Sequence, residues 1–219
     1  MYILREYEIV TSTIEKMDPK NFCFVFILLL GLLLRLLVLY FYHAPAIDAK
    51  TYIWAGRMLF TTGHLPNYID MPLYPILSYL TGGDWTQKLF DVILSIFTIG
   101  LIYKISFELF KNQNSALLAA LIAAIFPFFI YYSVAQLTET RYTFLLCGAF
   151  YLFYKKHFIW GCIFFVLIIL MRPTTDPLNP ILVFCFALFT HKENWRKAIK
   201  RVFFYGIIYI FNDVAVVDI

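Results

Sequence analysis

Long apolar runs separated by short polar connections dominate the chain. The first run covers residues 22–42 and is interrupted only by Arg35. In a helix it would extend roughly 31 Å at 1.5 Å per residue, which matches a hydrocarbon core of about 30 Å. Further apolar runs follow at residues 88–110, 115–134, 141–154, 158–171, 180–190 and 202–211. The pattern predicts an all-α, polytopic membrane protein with about seven transmembrane helices.

Two residues interrupt these runs. Pro127 lies inside the third run, where proline removes a helical hydrogen bond, and we predict a kink there. Arg35 lies about two turns from the end of the first run. We expect its side chain to extend along the helix until the guanidinium reaches the interface, and a buried ion pair is the alternative. We assign Arg35 no chemical role.

The connection at residues 43–87 differs from the others in length and pattern. Asp48 precedes an amphipathic run at residues 49–62, and Gly63 follows it. This order predicts a juxtamembrane helix lying in the plane of the interface, with Asp48 as its N-cap and Gly63 as its stop. The prolines beyond it favour turns, and we expect residues 73–80 to approach the membrane again.

Composition narrows the class of protein further. The chain is 62% hydrophobic, 20% aromatic and 15% charged, which excludes an ordinary soluble domain. Its net charge of +4 is not gathered into a basic stripe, so nucleic acid is not an expected partner. Sequence motifs of zinc proteases, dinucleotide folds, P-loop enzymes and serine hydrolases are absent. The loop histidines lack the spacing of a metal site, so we assign no metal and leave a divalent cation open.

The distribution of lysine and arginine predicts the orientation. These residues are enriched in the connections after the second, fourth and sixth runs, which are therefore cytoplasmic. The N-terminal tail, residues 1–21, then lies in the cytoplasm and the loop at residues 43–87 lies on the opposite side. Five charged residues that are far apart in sequence share that opposite surface: Asp48, Glu139, Arg141, Arg172 and Asp176.

These side chains suit one kind of chemistry. A carboxylate at the edge of the bilayer can accept a proton from an alcohol or an amine. A guanidinium at the same edge can bind a phosphate through two hydrogen bonds and stabilise its charge as it leaves. The combination fits a reaction whose donor is a sugar on a polyprenyl phosphate.

Several short motifs occur in a characteristic order over residues 22–185. They are Asp48-Ala-Lys-Thr-Tyr52, Gly63, Pro72-Leu-Tyr-Pro75, Pro127, Tyr131-Tyr-Ser133 with Glu139, and Met171-Arg-Pro-Thr174. The ordered set resembles the GT-C glycosyltransferases, specifically the group of protein mannosyltransferases, aminoarabinose transferases and RgtA/B/C/D-like transferases. One position departs from the group: many members carry a second acidic residue after the loop aspartate, where this chain has Ala49.

The resemblance implies a multi-pass, inverting transferase that uses a polyprenyl-phosphate sugar. Asp48 takes the position of the catalytic base, and Glu139 takes that of a second acidic residue near the acceptor or a metal. Arg172 matches a basic position that we assign to the donor phosphate, and Tyr52 and Arg141 are further candidates for substrate binding. Two alternatives remain open from the residues alone: Glu139 pairs with Arg141 or starts a helix, and Arg172 marks the membrane boundary.

The resemblance also implies partners and a location. The expected partners are a lipid-linked sugar donor and membrane lipid, with an unspecified acceptor, in a bacterial inner membrane. Members of the group are more than twice as long, so we expect residues 22–219 to be the N-terminal part of a GT-C-like transmembrane domain. The alternative is a non-catalytic, truncated relative. A transporter is less favoured because no inverted repeat is found.

Overall fold

The computed structural model describes residues 19–42, 47–66, 69, 71–82 and 84–172. Within these residues the chain forms eight helices. They are α1 (Pro19–Phe41), α2 (Ile47–Thr62), α3 (Leu73–Leu80), α4 (Asp84–Phe110), α5 (Gln113–Ile125), α6 (Pro127–Tyr132), α7 (Thr138–Tyr154) and α8 (Phe158–Met171). Predictions for the N-terminal tail, for Asp176 and for the runs at 180–190 and 202–211 lie outside the described residues.

Among the described residues, two helices are long and apolar enough to cross a membrane. They are α1, with 23 residues, and the segment Trp85–Phe110 of α4, with 26. Helices α5 and α8 are apolar but shorter, with 13 and 14 residues. The all-helical prediction is confirmed for the described residues, and the number of seven spans stays a prediction.

Helix α4 is the centre of the bundle. It packs against α1, α5 and α7, while α8 packs along α7. Helices α2 and α3 pack against each other outside this bundle, and α3 also contacts α8. The outward faces of α1 and α4 expose large apolar side chains, among them Phe26, Leu29 and Phe97. Such faces are expected where a helix contacts lipid.

The third apolar run does not merely kink at Pro127. Helix α5 ends at Ile125, Phe126 adopts an extended conformation with φ −65° and ψ 119°, and Pro127 opens α6 as its first residue. Proline suits that position because the first residue of a helix has no helical acceptor for its N–H. The break leaves carbonyl groups at the end of α5 without the donors that a continuous helix would supply.

Arg35 satisfies these carbonyl groups, which corrects both expectations for this residue. Its Nη1 donates to Ala124 O at 3.1 Å and to Gly31 O at 2.9 Å, and Nη2 approaches Ala123 O at 3.5 Å. Its Nε donates to Ser95 Oγ at 2.7 Å, and the side chain is fully buried. The guanidinium therefore neither reaches the interface nor pairs with a carboxylate. Pro127 has no N–H to offer Ala123 O, so the arginine replaces the missing donor.

Helix α2 begins two residues earlier than the sequence pattern predicts. Ile47 is its first residue, so Asp48 lies in the first turn and is not the N-cap. An acidic side chain there still interacts favourably with the positive end of the helix dipole. At the other end Gly63 has φ +79° and donates its N–H to Leu59 O at 2.9 Å, as predicted for the stop.

Helices α2 and α3 approach each other closely at Gly56. A Cβ atom added to this residue would lie 2.3 Å from Pro75 O and 3.1 Å from Tyr79 Cβ. Pro75 O belongs to the backbone and cannot turn away as a side chain would. The glycine therefore allows the contact between the two loop helices.

We expect Gly56→Ala to lower the free energy of unfolding by about 1–3 kcal/mol, because the methyl group would force α2 and α3 apart. Gly100→Ala is the matched control, since a Cβ there meets nothing within 4 Å. That control should be neutral or stabilising by up to about 1 kcal/mol, because alanine favours the helix. Thermal unfolding in detergent compares the two, and equal stability of Gly56→Ala and wild type would contradict the close approach.

Candidate functional site

One cavity of about 430 Å³ lies between α2, the start of α7 and the end of α8. Four of the five candidate residues from the sequence line it, although they come from three separate parts of the chain. The lining residues are Asp48, Thr51, Tyr52, Ile69, Met71, Leu137, Thr138, Glu139, Met171 and Arg172. The structure thus brings Asp48, Tyr52, Glu139 and Arg172 together.

Helix α2 forms one wall of this cavity. Asp48, Thr51 and Tyr52 are spaced at i, i+3 and i+4, which places them on one face of a helix. Ala49 is completely buried and does not line the cavity. This helix therefore presents one carboxylate, a hydroxyl and a phenol to the cavity, and the position after Asp48 is used for packing.

An ion pair between α7 and the end of α8 forms another wall. Arg172 Nη1 lies 3.0 Å from Glu139 Oε1, with the side chains 39% and 27% exposed. Thr143 Oγ1 donates to Glu139 O at 2.7 Å and supports the first turn of α7. Glu139 therefore pairs with Arg172 and not with Arg141. An ion pair of this exposure is worth about 0–1 kcal/mol, so a bound anion can replace the Glu139 carboxylate beside Arg172 at little cost.

The pKa of Tyr52 is affected by charges on both walls. Burial raises the pKa of its phenol, the negative charges of Asp48 and Glu139 raise it further, and the positive charge of Arg172 opposes them. The phenol therefore stays protonated at neutral pH and is available as a hydrogen-bond donor. Its ring meets the edge of the Tyr74 ring at 4.8 Å between centroids.

Arg141, the fifth candidate, is placed elsewhere. Its side chain is buried, and Nε donates to Asp91 Oδ1 at 2.6 Å inside the bundle. It does not line the cavity, so its guanidinium does not reach a substrate there.

Asp91 was not among the residues that the sequence pattern indicated. The signal that could have found it is a polar stripe along one face of α4, made of Gln87, Asp91, Ser95 and Thr98. These residues follow one another at three- or four-residue intervals, so they share a face, and all four are buried.

A smaller cavity of about 130 Å³ adjoins the first, because Glu139 lines both. It lies between α4, α6 and α7 and combines hydroxyl groups with aromatic rings. Its other lining residues are Ser95, Thr98, Phe128, Phe129, Tyr132, Thr140 and Thr143. Among the described residues, no three His, Cys, Asp or Glu side chains lie close enough together to hold a metal ion.

The described residues form a helical bundle with two helices long and apolar enough to cross a membrane, and with a site of two carboxylates, a phenol and a guanidinium. The chain belongs to the dolichyl-phosphate-mannose-protein mannosyltransferase family, whose model matches residues 76–217. The GT-C resemblance seen in the sequence is thereby confirmed. Searches among curated proteins and among solved structures gave no match.

Family membership implies a glycosyltransferase that takes its sugar from a polyprenyl phosphate. The matched region includes Glu139 and Arg172 and begins after Asp48 and Tyr52. The assignment of the α2 wall therefore depends on the cavity geometry and on the motif order, whereas the wall formed by Glu139 and Arg172 lies inside the matched region.

Proposed function

We propose that this protein transfers a sugar from a polyprenyl phosphate to an acceptor at the non-cytoplasmic face of a bacterial inner membrane, with inversion at the sugar carbon. The observation that carries the proposal is the 430 Å³ cavity in which Asp48, Glu139 and Arg172 meet. A sugar transfer from a phosphate needs a proton acceptor and a phosphate-binding group in one site, and this cavity offers both.

In the proposed reaction, an acceptor hydroxyl or amine attacks the anomeric carbon of the sugar. The bond between that carbon and the phosphate oxygen breaks, and the phosphate leaves with the electron pair. Asp48 takes the proton of the acceptor as general base. Tyr52, a neutral donor at the same wall, orients a sugar or phosphate oxygen.

Arg172 is the proposed phosphate ligand. Its pair with Glu139 is partly exposed, so the donor phosphate can take the place of the Glu139 carboxylate beside the guanidinium. A guanidinium presents parallel N–H donors that match phosphate oxygens, and it stabilises the charge that develops on the leaving group. Glu139 is then released to contact the acceptor.

The proposed orientation is supported by charges at the far end of the bundle. Glu108, at the end of α4, pairs with Lys111 and with Lys155, which lies just after α7. This cluster lies at the opposite ends of α4 and α7 from the cavity, and its lysines belong to the connections predicted to be cytoplasmic.

The test is release of polyprenyl phosphate by purified protein in lipid nanodiscs, with a panel of polyprenyl-phosphate hexoses and pentoses as donors and with hydroxyl- and amine-bearing acceptors present to take the sugar. We expect Arg172→Gln to lower kcat/KM for the donor roughly a hundredfold, because one stabilising donor group at a leaving oxyanion has about that effect. Arg57→Gln is the matched control, since Arg57 is an exposed α2 residue that does not line the cavity. Absence of release by wild type with every donor would contradict the proposed transfer.

A further inference from the structure

A buried ion pair between Asp91 and Arg141 lies behind the cavity. Arg141 Nε is 2.6 Å from Asp91 Oδ1, and the side chains are 1% and 0% exposed. Arg141 is in the first turns of α7, two residues after Glu139, and Asp91 is on the polar stripe of α4. The pair therefore ties the start of the cavity-forming helix α7 to the central helix.

The same guanidinium also contacts the other side of the site. It lies over the ring of Tyr74 at 4.8 Å and over that of Phe90 at 5.3 Å. Gln87 Nε2 hydrogen-bonds to Tyr74 Oη at 2.9 Å and to Ser78 Oγ at 3.2 Å, which fixes α3 to the polar stripe of α4. Tyr74 in turn meets the ring of Tyr52 at 4.8 Å.

Two chains of contacts therefore start at this pair. One runs from Asp91 through Arg141 along the first turn of α7 to Glu139. The other runs from Arg141 across Tyr74 to Tyr52, on the α2 wall that also carries Asp48. The buried pair of Asp91 and Arg141 thus contacts, through neighbouring residues, both of the cavity walls that carry a carboxylate.

Packing alone does not account for such a pair. Removing two charges from water is costly, and apolar residues of similar volume often stabilise a core equally well or better. Ionisable residues inside a membrane bundle are rare and commonly serve function. A fixed geometry at the site is the advantage that the observed contacts would provide.

We propose that Asp91 and Arg141 are positioning residues that hold the α2 wall and the α7 wall of the cavity at the separation that sugar transfer needs. The role in sugar transfer rests on the proposed function, whereas the labelling experiment that tests the positioning does not. The guanidinium is essential to it, because its Nε binds Asp91 while its Cζ lies over the rings of Tyr74 and Phe90.

The test measures the geometry of the cavity without turnover. In a parent chain whose four cysteines are replaced by alanine, Thr138→Cys reports on the α7 wall and Thr62→Cys on the exposed end of α2. A membrane-impermeant maleimide labels each cysteine in nanodiscs. We expect Asp91→Asn and Arg141→Met to accelerate labelling of Thr138→Cys about fivefold or more through local opening, and to leave Thr62→Cys unchanged.

Arg35→Met is the matched control, because Arg35 is a second buried arginine, among the described residues, that binds the polar stripe of α4. It should leave the labelling rate of Thr138→Cys unchanged even if it lowers overall stability. Unchanged labelling in both pair variants would overturn the inference, and so would an equal acceleration by Arg35→Met, since that would indicate general loosening. Arg141→Lys, which keeps the charge and loses the plane, should give an intermediate rate.

Turnover gives a second readout. Asp91→Asn should lower kcat more than it changes the donor KM, because Arg172 still binds the phosphate while the two walls are misplaced. A wild type without turnover would contradict the proposed transfer, and the labelling ratio would still decide the positioning role. A donor KM that rises while kcat is kept would contradict positioning and assign the pair to binding.

Discussion

Asp48→Asn is expected to lower the rate of sugar transfer by roughly 10²- to 10⁴-fold, the usual contribution of a general base. The amide has nearly the shape of the carboxylate but cannot take a proton from the acceptor. Binding of the donor should be largely kept, because Arg172, the proposed phosphate ligand, follows α8 and is untouched by a change on α2. The measurement is release of polyprenyl phosphate in nanodiscs, with kcat and donor KM determined separately.

Glu108→Gln is the matched control for Asp48→Asn. It makes the same chemical change at a carboxylate that lies at the far end of α4 and does not line the cavity. Its kcat should equal that of wild type. If Asp48→Asn also turned over at the wild-type rate, Asp48 would only stabilise the start of α2, an effect of about 0.3–1 kcal/mol through the helix dipole.

Arg35→Met is expected to lower the free energy of unfolding by about 2–5 kcal/mol, because it leaves buried carbonyl groups of Ala123 and Ala124 without donors at about 1–3 kcal/mol each. Methionine fills much of the space and supplies no hydrogen bond. The loss should appear as a lower midpoint in thermal unfolding in detergent, with α1 and α5 separating first.

Leu36→Met is the control for this second change, since Leu36 is the exposed neighbour of Arg35 on α1. Its stability should stay within about 0.5 kcal/mol of wild type, as for most surface substitutions. Equal midpoints for Arg35→Met and wild type would mean that the guanidinium reaches the interface instead of bridging α1 and α5.

The helices themselves were largely predictable. The runs at 22–42, 88–110, 141–154 and 158–171 match α1, α4, α7 and α8 to within a few residues at each end. Hydrophobic length and periodicity determine such segments locally, without any knowledge of which helix packs against which. The boundary of α2 was harder, because a helix start depends on one or two backbone conformations.

The candidate site was predictable in part, for a physical reason. Polar side chains avoid the hydrocarbon core, so charged residues at the helix ends that we predict to be non-cytoplasmic collect at one surface of the bundle. Sidedness therefore grouped Asp48, Glu139 and Arg172, and the structure places all three around one cavity. It grouped Arg141 with them as well, although that side chain turns inward to Asp91.

The amino-acid sequence alone is therefore enough to determine which segments are helical and which are apolar enough for a membrane. It also determines which charged residues share one end of the bundle. Each of these properties depends on local composition. The partners of Arg35, Glu139 and Arg141 depend on how helices far apart in sequence are rotated against each other. The partners in these contacts lie 33 to 89 residues apart in the sequence. The contacts form only when the bundle packs and when the break in the third apolar run leaves carbonyl groups without helical donors. The cavity that carries the proposed chemistry belongs to this second level.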